Sequence, residues 1–303
     1  LSIDSGYSDE EKQKIEKLSN ALKDIDNTVR IKAIRALPWS VGKWALGSII
    51  QALKDESPEV RKEAANKLVH VGDKRATQAL IHALEDEDWH VADKAAVALG
   101  LIKDERAVNP LIQILKNKNK HEFLRDSVAH ALGSIGKPAA FETLVEATKE
   151  KENQVAKAAY SALGRLGDER AFEILLEEAQ NQTSWLRGSA LIGLGYFGDS
   201  RGFEPITQAL KYNNDNVTRA AAAEALGLLK NERAIELLIQ ILKDSDPTVR
   251  GRAVQALGEI GDEKVIVELE QIAQTDKDTT WDNEDVAEIA LEAIETIKKR
   301  SQM

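Results

Sequence analysis

The segment Val249-Arg250-Gly251-Arg252-Ala253-Val254-Gln255-Ala256-Leu257-Gly258-Glu259-Ile260-Gly261 decides the fold. Val249, Ala253, Leu257 and Ile260 fall within one narrow arc of a 3.6-residue helix and form a buried stripe. Alanine in the middle of that stripe lets a partner helix approach closely. Gly261 stands where a helix C-cap needs positive φ.

Outward from this segment the same pattern recurs along the chain. The residues opening the stripe are Val29, Val60, Val91, Leu124, Val155, Leu186, Thr218, Val249 and Val286. Their spacings are 31, 31, 33, 31, 31, 32, 31 and 37. Four residues on stand Ala33, Ala64, Ala95, Val128, Ala159, Ala190, Ala222, Ala253 and Ala290, and eight on stand leucines from Leu37 to Leu257 with Ile294 last. Below, the opening residue of each stripe is position 0.

Glycine recurs after the leucine in Gly100, Gly133, Gly164, Gly195, Gly227 and Gly258, and at the C-cap in Gly72, Gly136, Gly167, Gly198 and Gly261. Strings such as Asp168-Glu169-Arg170-Ala171 then cap and open another helix with its own stripe, for example Ala234, Leu237, Leu238, Ile241 and Leu242. Each unit is therefore helix, turn, helix, too small to bury its own apolar face, and stacking completes the core. The expected fold is all-α, an α-α superhelix of about nine two-helix repeats, with about eighteen helices and no strands. No linker divides it, so residues 1–303 read as a single solenoid. An N-terminal cap helix is expected over residues 8–23 and an acidic C-terminal capping repeat over 262–303.

Composition limits the functions open to this fold. The formal net charge is -10, which argues against an electrostatic grip on nucleic acid or anionic lipid. Residues 262–303 hold twelve acidic and five basic side chains, so most of the excess lies there. With no cysteine, thiolate metal sites, disulfides and cysteine nucleophiles are excluded. No apolar run reaches the roughly 18 residues of a membrane span, and no signal peptide is visible at the start. The expected compartment is the cytoplasm.

The string Val-Arg-x-x-Ala-x-x-Ala-Leu-Gly-x-Ile-Gly, complete at Val249 to Gly261, resembles the HEAT-like repeats of the phycobilisome-lyase type, over essentially the whole chain. The resemblance implies that the second helices line a concave groove. It also brings alternatives, because that family includes scaffolds, bilin-attachment lyases and metal hydroxylases.

Positions 2, 6 and 10 of each second helix lie opposite the buried stripe and become the groove positions. In repeats three and six both position 6 and position 10 are apolar, Val97 with Leu101 and Ile192 with Tyr196, and each helix carries a tryptophan near its start, Trp89 and Trp185. Two placements stand open for these residues: exposed in a groove as a binding surface, or buried between repeats. Arg35 and Arg165 add polar specificity on the same face. Gly188 either admits a ligand against the backbone or packs closely on a neighbouring helix, and Gly193 reads as close packing. Trp39, after Pro38, is either a contact residue or part of the cap.

The long insertion Asp276-Lys277-Asp278-Thr279-Thr280-Trp281-Asp282-Asn283-Glu284-Asp285 fails the EF-hand pattern, since Trp281 and Ala287 stand where glycine and glutamate belong. It reads as a solvated acidic loop capping the following helix. A di-iron site like that of deoxyhypusine hydroxylase needs His-Glu pairs in the second helices, but those positions carry Lys62-Glu63, Asp93-Lys94, Asp126-Ser127 and Lys157-Ala158, so no metal site is expected. No serine-triad signature or phosphate loop is present. The expectation is a non-enzymatic scaffold that binds a protein or peptide partner, without nucleic acid, membrane or cofactor. The alternative is a bilin lyase or tetrapyrrole chaperone acting on phycobiliproteins. The oligomeric state and the partner's identity are not legible.

Overall fold

A computed structural model describes residues 7–38, 42–150, 154–212 and 215–302, with the side chains of 42–44 and 212 left aside. Among the described residues there are eighteen α-helices and no strand, only an isolated bridge between Thr279 and Asp285. The first repeats pair α1 (Asp9–Ala21) with α2 (Asn27–Ala36), α3 (Gly42–Ala52) with α4 (Pro58–Val71) and α5 (Thr77–Ala83) with α6 (Trp89–Ile102). Next come α7 (Val108–Lys116) with α8 (Glu122–Ile135) and α9 (Phe141–Thr148) with α10 (Gln154–Leu166). The last four are α11 (Arg170–Gln180) with α12 (Arg187–Phe197), α13 (Phe203–Tyr212) with α14 (Asn216–Leu229), α15 (Ile235–Ile241) with α16 (Pro247–Ile260) and α17 (Ile266–Thr275) with α18 (Val286–Ser301). By their internal contacts the residues fall into two compact units, Leu1–Ala159 and Tyr160–Met303, each described by itself below.

The expected stripe is the core. Val60, Ala64 and Leu68 in the first unit, and Val249, Ala253 and Leu257 in the second, are all inaccessible to solvent. The cap helix begins one residue later than expected, because Ser8 is its N-cap and forms a reciprocal capping box with Glu11. The Asp-Glu-Arg-Ala strings do not all simply open the first helices. Asp104-Glu105-Arg106-Ala107 makes a separate 3₁₀ turn whose aspartate accepts the Arg106 amide at 3.0 Å, whereas Asp168-Glu169-Arg170-Ala171 runs directly into α11. The arginine of the string then folds back onto the same carboxylate, holding the Asp104 carboxyl far below the usual range despite its burial.

Within each unit the second helices stack at nearly backbone contact. A Cβ placed on Gly100 would lie 2.9 Å from the Ala131 Cα, and one on Gly227 would lie 2.9 Å from the Ala256 Cα. In both cases the glycine is position 9 of one second helix and the alanine is position 7 of the next, so the register is constant.

The arginine at position 1 joins consecutive repeats. Arg61 donates through Nε and Nη2 to Asp86 at 2.7 and 2.8 Å, while its Nη1 donates to the Asp55 and Glu56 carbonyls of its own turn. Arg30 reaches Asp55 at 2.7 Å, Arg125 reaches Glu150, Arg219 reaches Asp244 and Arg250 reaches Asp276 in the same way. The carboxylate always lies 25 or 26 residues ahead, at the end of the next repeat's first helix.

One C-cap expectation changes. Gly72, Gly136, Gly167 and Gly198 have positive φ, but Gly261 has φ −73° and needs no special freedom. In repeats three and seven the left-handed position is filled by Lys103 and Lys230, both at φ 53°. The insertion at 276–285 keeps most of its residues exposed, as expected of a solvated loop, but it is fastened to α16. Arg250 holds Asp276 and Asp278, Arg252 holds Asp282 at 2.7 Å, and the Thr280 side chain is buried against Gly251. Asp276 is largely buried in its pair while Asp278 and Asp282 stay exposed, and the two arginines of α16 hold the segment against that helix. Asp285 stands at the start of α18 but makes no side-chain cap bond.

Two stability measurements follow. Arg61→Ala strands the Asp86 carboxylate, 9% exposed in the ion pair, and should cost about 3 kcal/mol in chemical denaturation. The double change Arg61→Met with Asp86→Leu should recover most of that loss; no recovery would mean the pair is not the cause. Lys103→Gly should stabilise by about 1 kcal/mol, because glycine removes the Cβ cost of a left-handed residue.

Candidate functional site

In the first unit the groove positions are carried by α4, α6 and α8. Leu101, at position 10 of α6, is a large apolar side chain with 58% of its surface exposed, and Val97 one turn earlier is half-buried. Arg35 is exposed and donates to Glu63 at 2.5 Å, joining α2 to α4. Trp39 lies outside the described residues.

Trp89 does not join Val97 and Leu101. Eight residues of helix separate it from Val97, about 12 Å along the axis. It is half-buried instead in an aromatic stack at the N-terminal edge of α6 and α8. Its ring lies 4.0 Å from His121 at an interplanar angle of 4°, 3.8 Å from His90 and 5.9 Å from Phe123, which is 50% exposed. His121 and Phe123 were not singled out in the sequence. Their signal was positional, since Phe123 immediately precedes position 0 of its repeat.

Between α6 and α8 the position 2 residues Asp93 and Asp126 meet. Asp93 is held by Lys94 at 3.1 Å and by the Ser127 hydroxyl at 2.5 Å. Burial pushes the Asp126 carboxyl up to about 6, and the Asp93 charge adds to the effect.

In the second unit α12, α14 and α16 carry the corresponding face. Ile192 and Tyr196 are both half-buried on α12. Arg165 is exposed and lies over the Tyr196 ring, 3.7 Å from its centre, and also donates to the phenol oxygen. On α14, burial raises the Glu224 carboxyl, while Arg252, 3.8 Å away, and Arg165 pull it down. Trp185 is 50% exposed but stands at the opposite end of α12 from Tyr196. Gly188 packs on α14, where an added Cβ would lie 3.2 Å from that of Ala221. Gly193 has the Tyr160 carbonyl and Leu175 against it, so close packing accounts for it.

A linear tetrapyrrole would need an apolar slot long enough to cover four rings. The cleft of about 420 Å³ in the first unit is bordered by Lys116, Lys118, Glu146 and Glu150, and that of about 460 Å³ in the second by Lys230, Glu232 and Arg233. Both lie on turns, are lined by charge and include none of the apolar candidates, so they do not fit such a group. Among the described residues no three His, Asp or Glu side chains come together as metal ligands would. Among the same residues no helix is long and apolar enough to cross a membrane.

Because the fold favours neutral Asp126, its stabilising contribution is full below the ordinary carboxyl value near 4 and is lost as pH rises through about 6. Asp126→Asn should therefore melt at a higher temperature than wild type at pH 7.5, with the gap closing at pH 5. An equal gap at both pH values, followed by circular dichroism, would remove this account of the Asp93–Asp126 pair.

Comparison with solved structures returns helical-repeat proteins. The complex of CpcE and CpcF of the phycocyanin lyase from Nostoc sp. PCC7120 aligns with a TM-score of 0.51 and 21% identity, covering 93% of this chain and 94% of that one. Kap95p, in its complex with RanGDP, aligns with a TM-score of 0.54 and 14% identity, covering 93% of this chain and 46% of that one. At these identities the likeness is one of fold. A search of curated proteins found no significant match. The profile of HEAT repeats matches residues 15–84, 46–132, 108–195, 175–240 and 203–295. Together those matches span residues 15–295, and the chain belongs to the HEAT-repeat family.

Proposed function

We propose that the chain is a non-enzymatic scaffold that binds a protein segment along its second-helix faces. The observation that carries this reading is Leu101, a leucine 58% exposed beside half-buried Val97 on a helix whose Val91, Ala95, Leu99 and Ile102 are buried. Such a side chain adds nothing to the core and offers a partner apolar area to bury. In the second unit Ile192, Tyr196 and Arg165 supply the matching mixture of apolar surface and fixed cation.

Protein partners fit the fold's other examples, since CpcE and CpcF form a complex and Kap95p binds RanGDP. The net charge of -10 favours neither nucleic acid nor an anionic membrane as the ligand. In this reading the protein works in the cytoplasm, carries no cofactor and performs no bond chemistry.

The test is recovery of partners with the tagged full chain from its native host, wild type against Leu101→Glu and Tyr196→Ala. Stoichiometric partners should be retained by wild type and reduced at least severalfold by Leu101→Glu, at unchanged melting temperature. Undiminished recovery with both variants would move the binding surface elsewhere. Visible absorbance co-purifying with the chain would replace the scaffold by a chromophore-handling protein.

A further inference from the structure

The second unit carries a row of exposed apolar side chains that the second-helix face does not include. Trp185, Val217 and Trp281 are 50%, 53% and 51% exposed. Trp185 and Val217 immediately precede the position 0 residues Leu186 and Thr218, Val217 in the first turn of α14 and Trp185 in the turn just before α12, whose N-cap is Leu186. Thr248 holds the same place before Val249 on α16, and its hydroxyl accepts the Trp281 amide at 2.9 Å. The insertion thus lays a tryptophan over the position where the third helix itself has a buried threonine.

These three places form a line. The helices α12, α14 and α16 pack in succession, and their register is locked by Gly195 on Ala225 and Gly227 on Ala256. Equivalent residues on stacked helices lie about 8–10 Å apart, so the row runs roughly 20 Å along the N-terminal edge of the unit. That is the length of about 14 residues of α-helix.

The row is not a by-product of folding. The insertion is fastened by Arg250 to Asp276 and Asp278, by Arg252 to Asp282 and by the Thr280 side chain under Gly251, all without the Trp281 ring. A half-exposed tryptophan on so firmly held a segment presents a large apolar surface with little conformational entropy left to lose on binding.

Charge selects the occupant. Asp278, Asp282, Glu284 and Asp285 are exposed beside Trp281 with Lys277 among them; Arg250 and Arg252 pair with Asp278 and Asp282, and Glu284 and Asp285 stand outside those ion pairs. Asp215 and Asp246 stand at the N-caps of α14 and α16, next to Val217 and Thr248. An acidic border repels an anionic lipid surface, and a symmetric contact with a second copy would bring two such borders together. We propose that this edge binds a basic amphipathic helix of a partner protein, its apolar face on Trp185, Val217 and Trp281 and its lysines or arginines against the carboxylates. The surface is separate from the second-helix face proposed above.

The test uses the full chain and two synthetic peptides of about 18 residues, one of leucine and lysine and one of leucine and glutamate, each with a helical apolar face. Titration calorimetry should give saturable one-to-one binding of the leucine–lysine peptide, weakened by salt, and at least tenfold weaker binding of the leucine–glutamate peptide. Trp185→Ala and Trp281→Ala should each weaken the complex about tenfold at unchanged melting temperature. Leu101→Glu should leave it unchanged, so the two binding surfaces can fail independently. On the unaltered protein, the leucine–lysine peptide should reduce acrylamide quenching of tryptophan emission, a readout that needs no variant to fold. Equal binding of both peptides, wild-type affinity in both tryptophan variants, or quenching unaffected by peptide would overturn the proposal. So would a blue shift with phosphatidylglycerol vesicles, which would make the row a lipid contact. A sedimenting dimer that Trp281→Ala dissociates would make it a self-interface.

Discussion

From the first turn of the second helix, an arginine reaches 25 or 26 residues ahead to a carboxylate and at the same time ties down the carbonyls just before that helix. The rest of the stacking depends on this clamp. Apolar contact between helices is non-directional and would tolerate sliding by a turn, whereas a two-pronged guanidinium–carboxylate pair admits one register. A buried ion pair is a poor source of net stability, because desolvation offsets most of the attraction. Its contribution here is to say which turn of one repeat meets which turn of the next. Where the rung is missing at Ala92, the flanking repeats on either side still carry the clamp through Arg61 and Arg125.

With register fixed, the second helices can approach more closely than ordinary side chains allow. Position 9 glycine against position 7 alanine brings backbones nearly into contact, and it does so only if the repeats are aligned to within a residue. The clamp and the glycine therefore select the same arrangement, one by charge and the other by shape. Such agreement between independent local preferences separates a single native stacking from its near neighbours.

The stripes of valine, alanine and leucine, the capping glycines and the helix pairs were legible because they are periodic, and periodicity survives without coordinates. Gly193 was read as close packing for the same reason. The clamp was partly visible as the Val-Arg pair but not its partner, since nothing in a linear string marks a contact 25 residues ahead. The candidate site was less legible. Trp89 and Leu101 share a helix and were grouped, yet about 12 Å of helix divides Trp89 from Val97 and joins it to His121 and Phe123. The insertion at 276–285 read as solvated and most of it is exposed, but its fastening to the two arginines of α16 was not legible, because nothing in the string marks those contacts. Trp39 falls outside the described residues.

The same division of labour explains where binding surface can arise in such a chain. Positions 0, 4 and 8 are fixed by the core, position 1 by the clamp, and positions 7 and 9 by the approach of neighbours. The residue before position 0 has none of these duties, and Phe123, Trp185 and Val217 all occupy it, each half-exposed. Large apolar residues there cost the fold little, since removing them leaves stripe, clamp and contact intact. Their exposure to water still carries a solubility penalty, which makes random retention of three such side chains at one register position a weak explanation. Trp281 strengthens the case from a different direction, because it reaches the corresponding place on α16 through an inserted segment and not through the repeat itself.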